Sequence, residues 1–232
     1  MLSVYFVLFI IDRTMSFVEN TSDENVNKSE DGENALPKAS MELLQSIVEA
    51  NQSYVSSFGE KAKLVGAPRR KVAILTCMDA RMDPAKFLGL SEGDAHVIRN
   101  AGGRASEDVI RSLVVSAKLM GTTDWFVIHH TSCGMQSHTD EEIRHMLGLD
   151  DHAEHHHHDK KWRHVWKSAR TPAHMEWMTF GDLAQSVVDD VQRIRVHPLV
   201  PSSVRVYGYI YHIHHGTLES IAEANKIGEP TE

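Results

Sequence analysis

Two short apolar runs stand out along the chain, VAILT at 72–76 and WFVI at 125–128, and each leads directly into polar, chemically capable residues. Runs of this length, bounded by polar residues, predict buried strands, here over 71–76 and 124–130. A third strand is predicted over 95–99. Between the second and third strands, Ser106 is placed to cap a helix. Glu107 and Asp108 lie in its positive first turn, Ile110, Leu113, Val114 and Ala117 form a buried stripe, and Gly121 closes it. Strand, helix and strand at this spacing predict a right-handed parallel crossover. Helical spacing also predicts an N-terminal arm over 40–58, with Ser40 as its cap, and further helices over 139–147 and 180–195. Asp83-Pro84 reads as the start of a short helix. Residues 204–213 alternate as a strand does, and His215-Gly216 turns into a last strand over 217–221, giving an antiparallel edge.

The remaining stretches are appendages. Residues 16–39 are polar and acidic, with Glu19, Asp23, Glu24, Glu30, Asp31 and Glu33 against Lys28 and Lys38, and read as a disordered tail. Residues 1–11 are apolar but too short to span a bilayer. They read either as a signal-like segment, without a preceding basic residue, or as an added leader with Met15 as the working start. The expected division is a leader and tail over 1–39 and one domain over 40–232, with a His-rich insertion at about 138–178 that contains His155–His158. The 232-residue length can bury a sizeable core, and a net charge of −8 with no basic stripe argues against nucleic-acid binding. No membrane span is expected, and a cytoplasmic setting would keep thiols reduced.

The only two cysteines, Cys77 and Cys133, follow the two apolar runs. Carboxyl ends of parallel strands open into the crevice where ligands bind. Cys77-Met78-Asp79-Ala80-Arg81 and His129-His130-Thr131-Ser132-Cys133 can therefore meet there. One close pair, His130-x-x-Cys133, plus the distant Cys77 makes a three-ligand zinc set, which leaves the open position of a catalytic site. His129 competes with His130, since neighbouring strand residues face opposite ways; the spacing to Cys133 favours His130. Asp79 is the candidate proton acceptor, held ionised by Arg81. The same carboxylate could instead close onto the metal. The plain alternative is two buried cysteines with no ion. Gly102-Gly103, after Ala101, permits close approach of backbone to a ligand, although most such pairs are simply turns.

At these residues the chain resembles the beta-class carbonic anhydrases, through CMDAR at 77–81, EGDAHVIRNAGG at 92–103 and HHTSCGM at 129–135, within a similarity spanning about 40–221. The resemblance implies an α/β fold: a mostly parallel central sheet of about four strands plus an antiparallel edge, helices on both faces and an N-terminal helical arm. It implies one Zn2+ on Cys77, His130 and Cys133, an Asp79–Arg81 dyad, and reversible hydration of CO2 to bicarbonate by zinc-bound hydroxide. It also implies a homodimer or higher homo-oligomer embraced by the N-terminal helices.

Ser91 departs from the plant-type pattern, which has a glutamine near the substrate; backbone groups of Ala101, Gly102 and Gly103 are the candidate substitutes. His96 and the His-rich insertion are candidate proton shuttles, or merely packed and solvated residues. Two other functions stay open: hydrolysis of carbon disulfide or carbonyl sulfide on the same ligands, and noncatalytic zinc binding or sensing.

Overall fold

A computed structural model describes residues 37–149 and 175–231. The expected leader, nearly all of the acidic tail, and His155–His158 with most of the insertion lie outside the described residues. The chain divides into two units, Met1–Ser57 and Phe58–Glu232. The described part of the first unit is helix α1 (Lys38–Ser56), which buries no residue and exposes Leu43, Leu44, Ile47 and Val55. Ser40 does not cap it. The helix starts directly after Pro37, whose carbonyl accepts from the Ser40 and Met41 amides.

The second unit is built on one sheet in the order β2-β1-β3-β4-β5. Its strands are β1 (Val72–Cys77), β2 (Ala95–Asn100), β3 (Asp124–His130), β4 (Arg205–His212) and β5 (Thr217–Ser220). The first four are parallel and β5 is the antiparallel edge. The expected architecture of four parallel strands and an antiparallel edge is therefore found. The helices are α2 (Pro84–Phe87), α3 (Glu107–Met120), α4 (Gly134–Ser137), α5 (Asp140–Met146), α6 (Leu183–Val196) and α7 (Ala222–Ile227).

Local chemistry sets the boundaries. Asp83 accepts from the Lys86 amide and Pro84 takes the first position of α2. Thr139 and Glu142 form a reciprocal capping box on α5. Gly121 ends α3 in the left-handed conformation. Ser106 precedes α3 as expected but makes no side-chain cap bond. Helix α6 starts three residues later than the pattern suggests, because Asp182, in an extended conformation, caps it through the Gln185 amide.

One sheet face carries the main core. Ala73, Leu75, Trp125, Val127, Val206 and Ile210 pack there against Ile110 and Leu113 of α3 and Val187, Val191 and Ile194 of α6. Full burial of each large aliphatic side chain is worth roughly 1.5–3 kcal/mol. Helix α7, which the pattern did not reveal because it is a single six-residue turn region, seats Ala224 on Gly208. Among the described residues no helix is long and apolar enough to cross a membrane.

His96 and Ser91 both fall at the amino-terminal side of β2, the end opposite Cys77. His96 is engaged there by the Ser116 hydroxyl (2.7 Å) and the Gly66 carbonyl (2.9 Å). Ser91 gives its amide to Asp94 at 2.9 Å. Within this chain, that placement takes His96 away from the cluster and from the shuttle role considered for it.

A Cβ at Gly208 would lie 2.5 Å from Ala224 Cβ and 2.7 Å from Val187 Cγ1. Gly208→Ala is expected to lower unfolding free energy by about 1–3 kcal/mol through overpacking, measured by urea titration with an unchanged slope.

Candidate metal centre

The parallel register places the ends of β1 and β3 side by side, with Thr76 opposite Ile128. Cys77 closes β1, His130 closes β3, and Cys133 follows one tight turn later. That turn contains Ser132 in the left-handed region at φ 58°, an uncommon conformation for a residue with a Cβ. It folds the chain back so that His130 and Cys133 face one point. The ligand-capable atoms of Cys77, His130 and Cys133 all lie within 4.8 Å of one another, and all three residues are buried. Both cysteines are free thiols.

The imidazole of His130 tests whether a metal fits. Its Nδ1 lies 3.0 Å from the Thr131 carbonyl, which can only accept, so Nδ1 carries the proton. Nε2 is then the lone-pair nitrogen, and it is buried without a hydrogen-bond partner. An unpartnered buried nitrogen facing two sulfurs is the donor set tetrahedral zinc takes, with one position to spare. His129 points the other way, into the packing of α6, so the competition between the two histidines resolves toward His130.

The local electrostatics suit a ligand set. Cys77 is held well below the ordinary thiol range by a hydrogen bond from Cys133, which outweighs burial, with help from His130 and the Asp79 and Gly102 amides. Cys133 is correspondingly pushed up by sharing its proton with Cys77 and by burial. Burial alone would push His130 down, but the nearby Cys77 and Asp79 charges and the Thr131 carbonyl outweigh it, and the net direction is upward.

Asp79 and Arg81 stand beside the cluster. Asp79 Oδ1 accepts from the Arg81 amide and Nε, both at 2.9 Å, and Oδ2 accepts from Nη2 at 2.6 Å. Those Arg81 bonds hold the carboxyl far below its usual range. Arg81 Nη2 also donates to the Ser132 carbonyl at 3.0 Å, so it bridges the two strand ends. Asp79 Oδ2 lies 3.9 Å from His130 Nε2. The surrounding wall is apolar: Met82, Phe87, Met135, Phe180, Tyr211 and Ile213, with Phe87 stacked on Tyr211 at 4.4 Å between centroids.

Ala101, Gly102 and Gly103 form one short 3-10 turn after β2, with both glycines at positive φ. A Cβ on Gly103 would sit 2.9 Å from the Cys77 amide nitrogen and 3.0 Å from the Thr76 carbonyl carbon. The close approach is thus to the backbone of β1, beside the cluster.

The sequence reading missed a buried polar group behind the cluster. Asp190 of α6 is wholly buried and pairs with Arg104, which is 7% exposed in its side chain. Its signal was available: Asp190 lies three residues after Val187 and four before Ile194, on the apolar stripe of α6, where an acid demands a partner.

Residues 72–218 match the family model described as carbonic anhydrase. The chain is 34% identical over 171 residues to beta-carbonic anhydrase 1 of Mycobacterium tuberculosis, covering 74% of this chain and 93% of that protein. It is also 34% identical over 161 residues to a carbon disulfide hydrolase of Saccharolobus solfataricus, covering 65% and 78%. Among solved structures, a carbonic anhydrase from Streptococcus mutans superimposes with a TM-score of 0.64 at 36% identity, covering 77% of this chain and 96% of that one.

Two outcomes are expected. Cys77→Ser should lose stoichiometric zinc on dialysis against a weak chelator while the wild type retains it, read by elemental analysis. The buried Asp190 carboxyl is held below its ordinary value; burial opposes this, and the His129 and Arg104 contacts outweigh it. A depressed folded-state pKa contributes stability above the unfolded value, about 3.9, and loses it as pH falls. Urea stability should therefore decline below about pH 4, with a shallower acid limb in Asp190→Asn.

Proposed function

The chain belongs to the beta-class carbonic anhydrases, and from that membership we propose that it hydrates carbon dioxide reversibly to bicarbonate and a proton, using zinc held by Cys77, His130 and Cys133. The observation that carries this reading is the buried, unpartnered His130 Nε2 facing two sulfurs. Zinc bound there would supply Lewis acidity, weakened by two thiolates relative to zinc on three neutral imidazoles.

The chain's own residues supply the rest. Asp79 is ionised at any working pH, because Arg81 holds its carboxyl so low. So acidic a carboxyl is a poor store for a proton at neutrality. Its proposed role is to accept a hydrogen bond from the attacking water and fix its direction. Three bonds from Arg81 also oppose rotation of Asp79 onto the metal. The apolar wall from Met82 to Ile213 suits a small nonpolar substrate and limits competing water. The backbone of Ala101, Gly102 and Gly103 is proposed to border the substrate side. Homodimer assembly belongs to the same proposal, supported by the exposed apolar residues of α1. Two ligand thiols without a disulfide fit a reducing, cytoplasmic compartment.

The second reading is hydrolysis of carbon disulfide or carbonyl sulfide, supported by the relative from Saccharolobus solfataricus and by the apolar wall. Stopped-flow assay of the zinc-loaded protein separates the two. The expected result is CO2 turnover at neutral pH, lost in Cys77→Ser and reduced about 10²–10⁴-fold in Asp79→Asn. Turnover of carbon disulfide with none of CO2 selects the second reading. Stoichiometric zinc without turnover of either identifies a binding protein.

A further inference from the structure

Neither Arg104 nor Asp190 contributes an atom to the cluster described above, yet their pair ties the end of β3 to the glycine turn that abuts β1. Asp190 Oδ2 accepts from Arg104 Nε (2.8 Å), the Ala105 amide (3.1 Å) and His129 Nε2 (3.2 Å), and Oδ1 accepts from Arg104 Nη2 (3.1 Å). Arg104 and Ala105 continue directly from Gly102-Gly103, and His129 directly precedes His130. The Ser186 hydroxyl, 2.8 Å from His129 Nδ1, pins the other side of that ring. Arg104 Nη1 reaches the Met178 carbonyl at 3.2 Å, and its guanidinium lies 5.2 Å from the centre of the Phe180 ring.

Stability alone does not explain such a pair. Withdrawing two charges from water costs several kcal/mol per ion, and well-packed apolar residues commonly serve as well or better. Directional bonds are what an apolar pair cannot provide. We propose that Asp190 is a positioning residue: through His129 on one side and Arg104–Ala105 on the other, it fixes His130 and the Gly102-Gly103 backbone against Cys77. Helix α6 thereby sets the geometry of a metal centre that it does not touch. The inference rests on the zinc reading of the cluster, but not on the identity of the substrate.

The test compares Asp190→Asn with the double variant Arg104→Met/Asp190→Leu. The readouts are zinc release to a competing chelator, the visible spectrum of the cobalt-substituted protein, Tm, and kcat separately from KM. Asp190→Asn keeps the shape but turns an amide toward the Arg104 donors. It should release zinc about 10–100-fold faster, the range seen when groups supporting metal ligands are lost. Its cobalt spectrum should shift, and kcat should fall by a similar factor with KM little changed. The double variant should recover Tm and still release zinc quickly.

Wild-type zinc release in the double variant overturns the proposal, as does a lower Tm in Asp190→Asn with release unchanged. Should Asp190→Asn fail to fold, Ser186→Ala decides, since it removes only the hydroxyl beside His129: faster release supports the proposal and unchanged release overturns it. A wild-type protein that binds zinc but does not hydrate CO2 ends the functional reading, while the release rates still judge the role of Asp190.

Discussion

Parallel pairing of β1 with β3 is the constraint on which the site depends. Thr76 and Ile128 are 52 positions apart in sequence, and the Thr76 hydroxyl closes that distance with a buried 2.7 Å bond to the Ile128 carbonyl. The next residue on one side is Cys77, and two residues further on the other is His130. A slip of one residue in this register would turn either side chain to the opposite face. The chemistry of the cluster thus follows from a backbone alignment fixed by the apolar core beneath it.

Two ion pairs flank the cluster and work under different physics. Asp79–Arg81 sits at the surface, with Arg81 about half exposed, so its contribution to folding is small and screened by salt. Its value lies in holding one carboxylate in one orientation. Arg104–Asp190 is enclosed, beyond the reach of such screening, and breaking it would strand a charge in the interior. The outer pair addresses the reacting side of the site, and the inner pair addresses its frame.

Much of this was readable from the chain. The two apolar runs, the helix after Ser106 and the alternation before His215 gave the sheet order its raw material. The His130-x-x-Cys133 spacing with a distant Cys77 named the ligand candidates. Contacts that join distant segments were less accessible. Asp190 stands beside Asp189 on an amphipathic helix, and its partners Arg104 and His129 lie far away in sequence. His96 seemed close to the chemistry, but strand direction places it at the wrong end. The wall formed by Met82, Phe87, Phe180 and Tyr211 draws on three separate segments, and no local period marks such a set.

The left-handed turn at Ser132 bears on how the protein would take up a metal ion. An L-residue held in that conformation costs about 1–2 kcal/mol, so a chain still emerging or denatured has little reason to keep the bend. Such a chain offers at best a loose two-toothed grip, with Cys77 tethered far off along an unclosed loop. On the zinc reading, metal capture would belong to the finished sheet, the reverse of small zinc modules whose fold is nucleated by the ion. The pocket would come first and the ion second, so a copy in which β1 and β3 part would lose its grip on the ion.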